Sequence, residues 1–182
     1  MADTKKNAVW KCIVVLAAIA LCSGLLLGFF NIITYVDPLQ SAYDRFAQDT
    51  GASFSEMTDE EGQQYENGSV IYYAVSDDGE WHAFLAGGNG GYGGEVQVYL
   101  YFRGTVLEKL AIGENGETYL SRLEDAGFYD QFLGKEVSEL SGMEADVVSG
   151  ATRSSQAVGN AVAAAVQYFT ENVAGGNTNE QA

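Results

Sequence analysis

The sequence predicts an α+β protein, in which one N-terminal transmembrane helix precedes a small domain built from an antiparallel sheet packed by helices. Three observations carry this reading. Residues 12–36 contain no charged side chain, a run long enough to cross a hydrocarbon core of ~30 Å as a helix. Two pairs of β-rich runs between residues 70 and 113 are each joined by a short turn signal, Asp78-Gly79 and Arg103-Gly104, as antiparallel hairpins require. A last segment near residues 156–172 places Val158, Val162, Ala165, Val166 and Phe169 at helical spacing, the pattern of a helix with one apolar face.

Composition narrows the class further. The 182 residues are 47% apolar and 12% aromatic, enough to exclude a disordered chain and to supply one core. Formal net charge is −16, a field that repels phosphate backbones and excludes nucleic acid as a partner.

Residues 1–11 form a basic arm carrying Lys5, Lys6 and Lys11, whereas Asp37, Asp44 and Asp49 follow the apolar run. The positive-inside rule therefore puts the arm in the cytoplasm and the domain outside, in a single-pass protein of the plasma membrane. The apolar run, residues 12–36, is longer than the ~7–15 residues of a signal-peptide core. Leu21 before Cys22 does not fit the small residue that a lipoprotein signal needs. Cys12 and Cys22 both lie in or beside this run, so no disulfide is expected in the outer domain. Ala20, Gly24 and Gly28 recur every fourth residue, leaving one stripe of the helix flat enough for a partner helix.

Pro38 ends the membrane helix, and residues 37–69 read as a membrane-proximal connecting segment with helical stretches at 39–46 and 59–65. The domain itself is expected at 70–173. It begins with the hairpin of VIYYAV and WHAFLA, followed by the glycine-rich 87–94, read as a loop too flexible for a strand. EVQVYLYF and TVLEKLAIG form the second hairpin, whose alternation predicts one buried face. One or two short helices are expected within 120–133, then the final helix after SGATRSS, and a polar, disordered tail at 174–182.

The chemistry concentrates just before that final helix. Asp146, Ser149, Gly150, Ala151 and Thr152 form a run of small residues that leaves the Thr152 hydroxyl uncrowded and open to an enzyme. A helix N-terminus offers unpaired N–H groups and the positive end of its dipole to a phosphate. Ser154 and Ser155 can add hydroxyl donors. The same run also reads as a Ser/Thr-rich helix cap, and spacing and composition alone favour that second reading.

The D-x-x-S-G-A-T-x-S-S stretch resembles the FMN attachment motif of the G subunit of Rnf electron transport complexes. It is similar as well to that of the C subunit of the sodium-pumping NADH:quinone reductase. The order of the parts strengthens the resemblance: an N-terminal anchor, Gly91-Tyr92-Gly93-Gly94 before a strand, the motif, and an Ala/Val-rich helix after it. The resemblance implies an FMN-binding domain. It implies FMN esterified through its phosphate to Thr152 by a flavin transferase, with Asp146, Ser149, Gly150 and Ala151 as the recognition sequence. It further implies that Gly91, Tyr92, Gly93 and Gly94 pass near the flavin. Where the family usually has Glu-Thr-Pro-Gly-Leu-Gly, this chain has Glu117-Thr118-Tyr119-Leu120-Ser121-Arg122. Glu117 and Thr118 match, and the Pro and Gly are replaced.

On this resemblance the chain is expected to be an electron-transfer subunit of a membrane-bound, ion-translocating ferredoxin:NAD oxidoreductase of the Rnf type, a translocase whose other membrane subunits are its partners. Two readings stay open beside it: an anchored binding or sensory module of the same fold without flavin, and a flavin carrier for another extracytoplasmic reductase. A covalent link suits an exposed domain, because a cofactor held by mass action alone is lost to a medium that lacks it. No catalytic side chain and no metal is expected, since G-x-S-x-G, Walker, C-x-x-C and His/Cys metal spacings are all absent. His82, alone in a strand, is read as structural or superficial. The span carries no ionisable residue besides Cys and Tyr, so ion passage is not expected within it.

Overall fold

The computed structural model describes residues 2–55 and 62–175. The chain divides into two units, Met1–Pro38 and Leu39–Ala182. The first contains one helix, α1 (Ala2–Thr34), which starts within the basic arm and carries no charged side chain from residue 12 onward. Leu21, Leu27, Ile32 and Ile33 all point outward, as the side chains of a lipid-facing helix must. The helix is long and apolar enough to cross a membrane. A Cβ added at Gly24 or Gly28 would meet nothing within 4 Å.

The second unit carries a five-stranded antiparallel meander in the order β1-β2-β3-β4-β5, with helices on both faces. Its strands are β1 (Gln63–Gln64), β2 (Gly68–Val75), β3 (Trp81–Gly88), β4 (Val96–Arg103) and β5 (Val106–Ile112). The β2–β3 turn forms because Gly79 adopts φ 73, a conformation open to glycine without a Cβ penalty. Asp78 Oδ1 accepts hydrogen bonds there from the Ser76 hydroxyl and from the Glu80 N–H. The predicted α+β architecture is the observed one.

Two cores lie on opposite sides of the sheet. On one side Phe84, Val98, Leu100 and Phe102 pack under α5 (Thr152–Tyr168), which contributes Val158, Ala161, Val162 and Ala165. On the other, Ala83, Leu85 and Tyr101 pack under α2 (Pro38–Thr50) through Ala42, Tyr43 and Phe46. The second hairpin therefore buries both faces, not the one face that its alternation predicts. Tyr99 and Tyr101 are covered by α2, so this part of the expected connecting segment is a packed layer of the domain. A bulge between Val70 and Tyr72 shifts the phase of β2, so that both Val70 and Tyr73 face the α5 side.

Three further expectations are corrected. The helical stretch expected at 59–65 lies outside the described residues as far as 61, and Gln63–Gln64 form the short edge strand β1, paired with Val70 and Ser69. Gly87 and Gly88 belong to β3 rather than to a flexible loop. The final helix starts at Thr152, four residues earlier than expected, and closes in a π-helical turn, Phe169–Ala174.

The reason for the strand glycines is the close crossing of α5. A Cβ at Gly88 would sit 2.7 Å from Ala161 N and 2.8 Å from the Ala157 carbonyl carbon, with the Ala157 oxygen nearer still. In the chain between β5 and α5 come α3 (Leu120–Asp125), a 3-10 turn (Phe128–Gln131) and α4 (Val137–Leu140). The last is started by a capping box between Glu136 and Glu139 and has no counterpart in the sequence reading. Residues 176–182 of the expected tail lie outside the described residues.

Candidate functional site

The residues singled out in the sequence converge around the first turn of α5. Gly150 sits at φ +79, the left-handed region where a side chain costs about 1 kcal/mol or more. This turn delivers Ala151, 4% exposed, into the core and puts Thr152 at the first helical position, exposed. The N-cap residue is Ala151 and no side chain caps the helix there. The Ser/Thr-rich run is thus not a conventional cap, and the leading N–H groups of α5 have no side-chain acceptor at the cap position. The Thr152 hydroxyl donates to no described residue.

Ser154 and Ser155 are placed differently from Thr152, both being fully buried. Ser155 Oγ accepts from the Val148 N–H at 3.0 Å and donates to the Ala151 carbonyl at 3.0 Å. It ties the motif loop to the helix and has no proton free for a ligand. Ser154 Oγ donates to Glu117 Oε2. The other carboxylate oxygen, Glu117 Oε1, accepts from the Gly93 N–H at 2.6 Å.

Glu117 is therefore the tie between the glycine segment and α5. It joins positions 24 and 37 residues away in sequence. Its own placement comes from an Asn115 turn, in which Asn115 Oδ1 accepts from the Glu117 N–H at 3.0 Å and Asn115 Nδ2 donates to Gly113 O. A carboxylate beside the first turn of a helix is favoured by the macrodipole. The glycines are required by proximity: a Cβ at Gly91 would meet Glu117 Oε1 at 2.6 Å, and one at Gly93 would meet Gly116 Cα at 2.9 Å. Tyr92 stands outward, 76% exposed, and Thr118 and Gly94 are exposed as well.

Two residues that sequence reasoning missed hold the motif loop. Gln131 clamps Asp146, accepting from its N–H at 2.8 Å, while its own amide donates to Phe128 O. Arg122 Nη1 lies 3.4 Å from the Gly150 carbonyl, with its guanidinium 5.0 Å from the centre of the Tyr119 ring. Asp146, Ser149 and Gly150 are exposed. No local sequence signal marks Gln131. Arg122 was visible only as a departure from the resembled motif.

His82 is remote from this site in role. Its Nδ1 pairs with the Tyr73 hydroxyl at 2.8 Å and its ring packs edge-on against Phe169; burial lowers its pKa. This is a structural histidine. Among the described residues no group of three or more His, Cys, Asp or Glu side chains is placed to hold a metal.

The site thus offers an exposed threonine hydroxyl at a helix start and, beside it, a glycine segment that the Glu117 carboxylate ties to Ser154 in the first turn of α5. Residues 91–167 match the family model described as the FMN-binding domain. No curated protein matches the chain. The match begins at Gly91 and takes in β4, β5, Glu117, the 146–155 loop and nearly all of α5, so it covers the site just built. It supports FMN as the cofactor and a flavin-carrying electron-transfer role. The residues present fit a flavin phosphate, since the Thr152 hydroxyl is exposed and stands at a helix start that no side chain caps. The strands β2 and β3, outside the matched stretch, pack against α5.

Proposed function

We propose that the chain is an electron-transfer subunit of a membrane-bound, ion-translocating ferredoxin:NAD oxidoreductase of the Rnf type, carrying FMN covalently on Thr152. The single observation that supports this best is the exposed, unengaged Thr152 hydroxyl at the first position of α5, inside a stretch matching an FMN-binding domain. The Asp146, Ser149, Gly150 and Ala151 loop would be what a flavin transferase recognises.

In the attachment step the Thr152 hydroxyl gives up its proton and Thr152 Oγ1 bonds to phosphorus. The phosphoanhydride bond of a flavin dinucleotide breaks and the other nucleotide leaves as its monophosphate. Bound FMN supplies one- and two-electron chemistry, while the protein positions it and excludes competing reactions. Across the whole assembly two reduced ferredoxins, NAD⁺ and a proton give two oxidised ferredoxins and NADH, with this subunit as a relay. The basic arm before the apolar run supports a domain on the outer side of the plasma membrane, and the Gly24/Gly28 stripe would be the face offered to other membrane subunits.

Intact-protein mass measurement tests the attachment. The full chain co-expressed with a flavin transferase is expected to gain one FMN-sized increment and to fluoresce after denaturing electrophoresis; Thr152→Ala is expected to lose both. A wild-type chain without the increment in transferase-containing cells refutes the covalent reading. A second reading, an anchored sensory module of the same fold without flavin, draws on the replaced Tyr119 to Arg122 positions; absence of flavin in the native host would favour it. Copurifying subunits identify the assembly and separate the Rnf type from another extracytoplasmic reductase.

A further inference from the structure

In an acidic chain of net charge −16, where the few cations go is informative. Nine Lys and Arg residues face 25 Asp and Glu residues. Of those beyond residue 38, Arg45 and Lys109 pair with Asp49, and Arg103 pairs with Glu80. Lys135 donates to Met143 Sδ. Arg122 and Arg153 are left with no carboxylate within ion-pair distance among the described residues, and both flank Thr152. Arg153 is its neighbour in the chain. Arg122 reaches the same turn from α3, close enough that a Cβ on Gly150 would lie 2.6 Å from its Nη1.

The setting of Arg122 is specific. The buried Leu123 anchors α3 to the core, and the Tyr119 ring lies 5.0 Å from the guanidinium, a contact that holds it over one side of the turn. Its one hydrogen bond among the described residues, to the Gly150 carbonyl at 3.4 Å, leaves most of its five donors unused. A guanidinium is the side chain best matched to phosphate oxygens, which it can engage through two parallel N–H donors. Elsewhere in the domain each arginine is neutralised by an acidic partner; here two remain open beside the one exposed threonine at a helix start.

We propose that Arg122 and Arg153 form a two-arginine clamp for the singly charged phosphodiester that joins Thr152 to FMN. The inference rests on the covalent reading above. It assigns to the replaced loop a positive role: the residue standing where the resembled motif has its last Gly supplies a cation to the phosphate from across the turn. Arg122 is the more constrained of the two, held by Gly150 and Tyr119, whereas Arg153 is exposed beside Thr152 in the first turn of α5.

The chain contains only four arginines, Arg45, Arg103, Arg122 and Arg153, so its guanidinium signals can be read individually by NMR. The full chain, labelled with ¹⁵N-arginine and solubilised in detergent, is compared in its flavinylated form and as the unflavinylated Thr152→Val. Arg122→Gln and Arg153→Gln assign the signals whether or not they accept flavin. The expected result is a downfield shift of the Arg122 and Arg153 Nε–H resonances on flavinylation, with Arg45 and Arg103, held by carboxylates, unmoved. If the wild-type chain carries the FMN mass increment and the Arg122 and Arg153 signals coincide in the two forms, the clamp is refuted while the attachment stands. If the increment itself is missing, the attachment fails and the clamp with it.

Discussion

Gly88→Ala tests whether the approach of α5 to β3 sets the position of the whole site. The added Cβ would stand 2.7 Å from Ala161 N and 2.8 Å from the Ala157 carbonyl carbon, both of them helix backbone. Ordinary van der Waals contact begins at about 3.4 Å, and the Ala157 oxygen is nearer than either atom, so the helix must retreat by well over ~0.7 Å. No side-chain rotation can relieve the clash, because every blocking atom is main chain. Retreat would loosen Val158, Ala161, Val162 and Ala165 from Phe84, Val98 and Leu100, all within one core. Overpacking of this kind costs about 1–3 kcal/mol, and the rigidity of the two backbones places this case near the upper end, about 3 kcal/mol. Urea unfolding of the full chain in detergent, followed by Trp81 fluorescence in a Trp10→Phe background, measures it. Gly134→Ala is the control: φ is +74 there and a Cβ would meet nothing within 4 Å, so only backbone strain of about 1 kcal/mol is expected. Equal losses for the two variants would refute the argument that close helix crossing dictates the strand glycine. Because α5 begins at Thr152, the proposed attachment there predicts that Gly88→Ala also slows flavin loading and that Gly134→Ala does not.

Three further outcomes are expected. Glu117→Ala removes the acceptor for Gly93 N–H and Ser154 Oγ, at a cost of about 1–3 kcal/mol; hydrogen exchange at Gly93 should accelerate, and unchanged exchange would show that the tie is not formed. Phe46→Ala empties the α2-side core between Tyr43, Phe54, Tyr99 and Tyr101 and is expected to destabilise by about 3–5 kcal/mol, whereas a loss below 1 kcal/mol in the same urea assay would mean that α2 does not cover the sheet. Asp49 gives a pH signature. Burial pushes its carboxyl upward, but hydrogen bonds from Lys109, Arg45 and Tyr101 outweigh this and hold it down at about 2, against an ordinary 3.8. The unfolded chain then takes up the proton first, so the stability margin of wild type over Asp49→Asn should be constant above pH 3.8 and shrink as pH falls towards 2. A margin independent of pH across that window would refute the network.

The parts of the fold written in local signals were legible. A charge-free run specifies a helix that no aqueous core could cover, and Asp78-Gly79 and Arg103-Gly104 specify hairpins because few other residues turn so tightly. Apolar spacing along 158–169 revealed the face of α5, though not its start, since Thr152 to Ser155 carry no apolar pattern and the initiating Ala151 is not a capping residue. The site was legible mainly where it is contiguous. Thr152 and its preceding small residues could be picked out as one string, and the glycines at 91–94 as another.

What joins those strings depends on contacts that no local pattern encodes. Glu117 meets Gly93 and Ser154, Gln131 meets Asp146, and Arg122 meets Gly150, each across 15 or more residues. The second face of the sheet was hidden for the same reason, because alternation along β4 records which side chains are polar and not which helix will lie over Tyr101. Gly87 and Gly88 read as flexible since glycine lowers strand propensity, and only the passage of the α5 backbone above them turns the missing side chain into a requirement. By itself the sequence determined most of the elements, their order, the acidic field and the candidate hydroxyl of Thr152, all properties of neighbouring residues. The tertiary structure decided which distant groups surround that hydroxyl, because burial and close packing select pairings that periodicity and turn chemistry leave open.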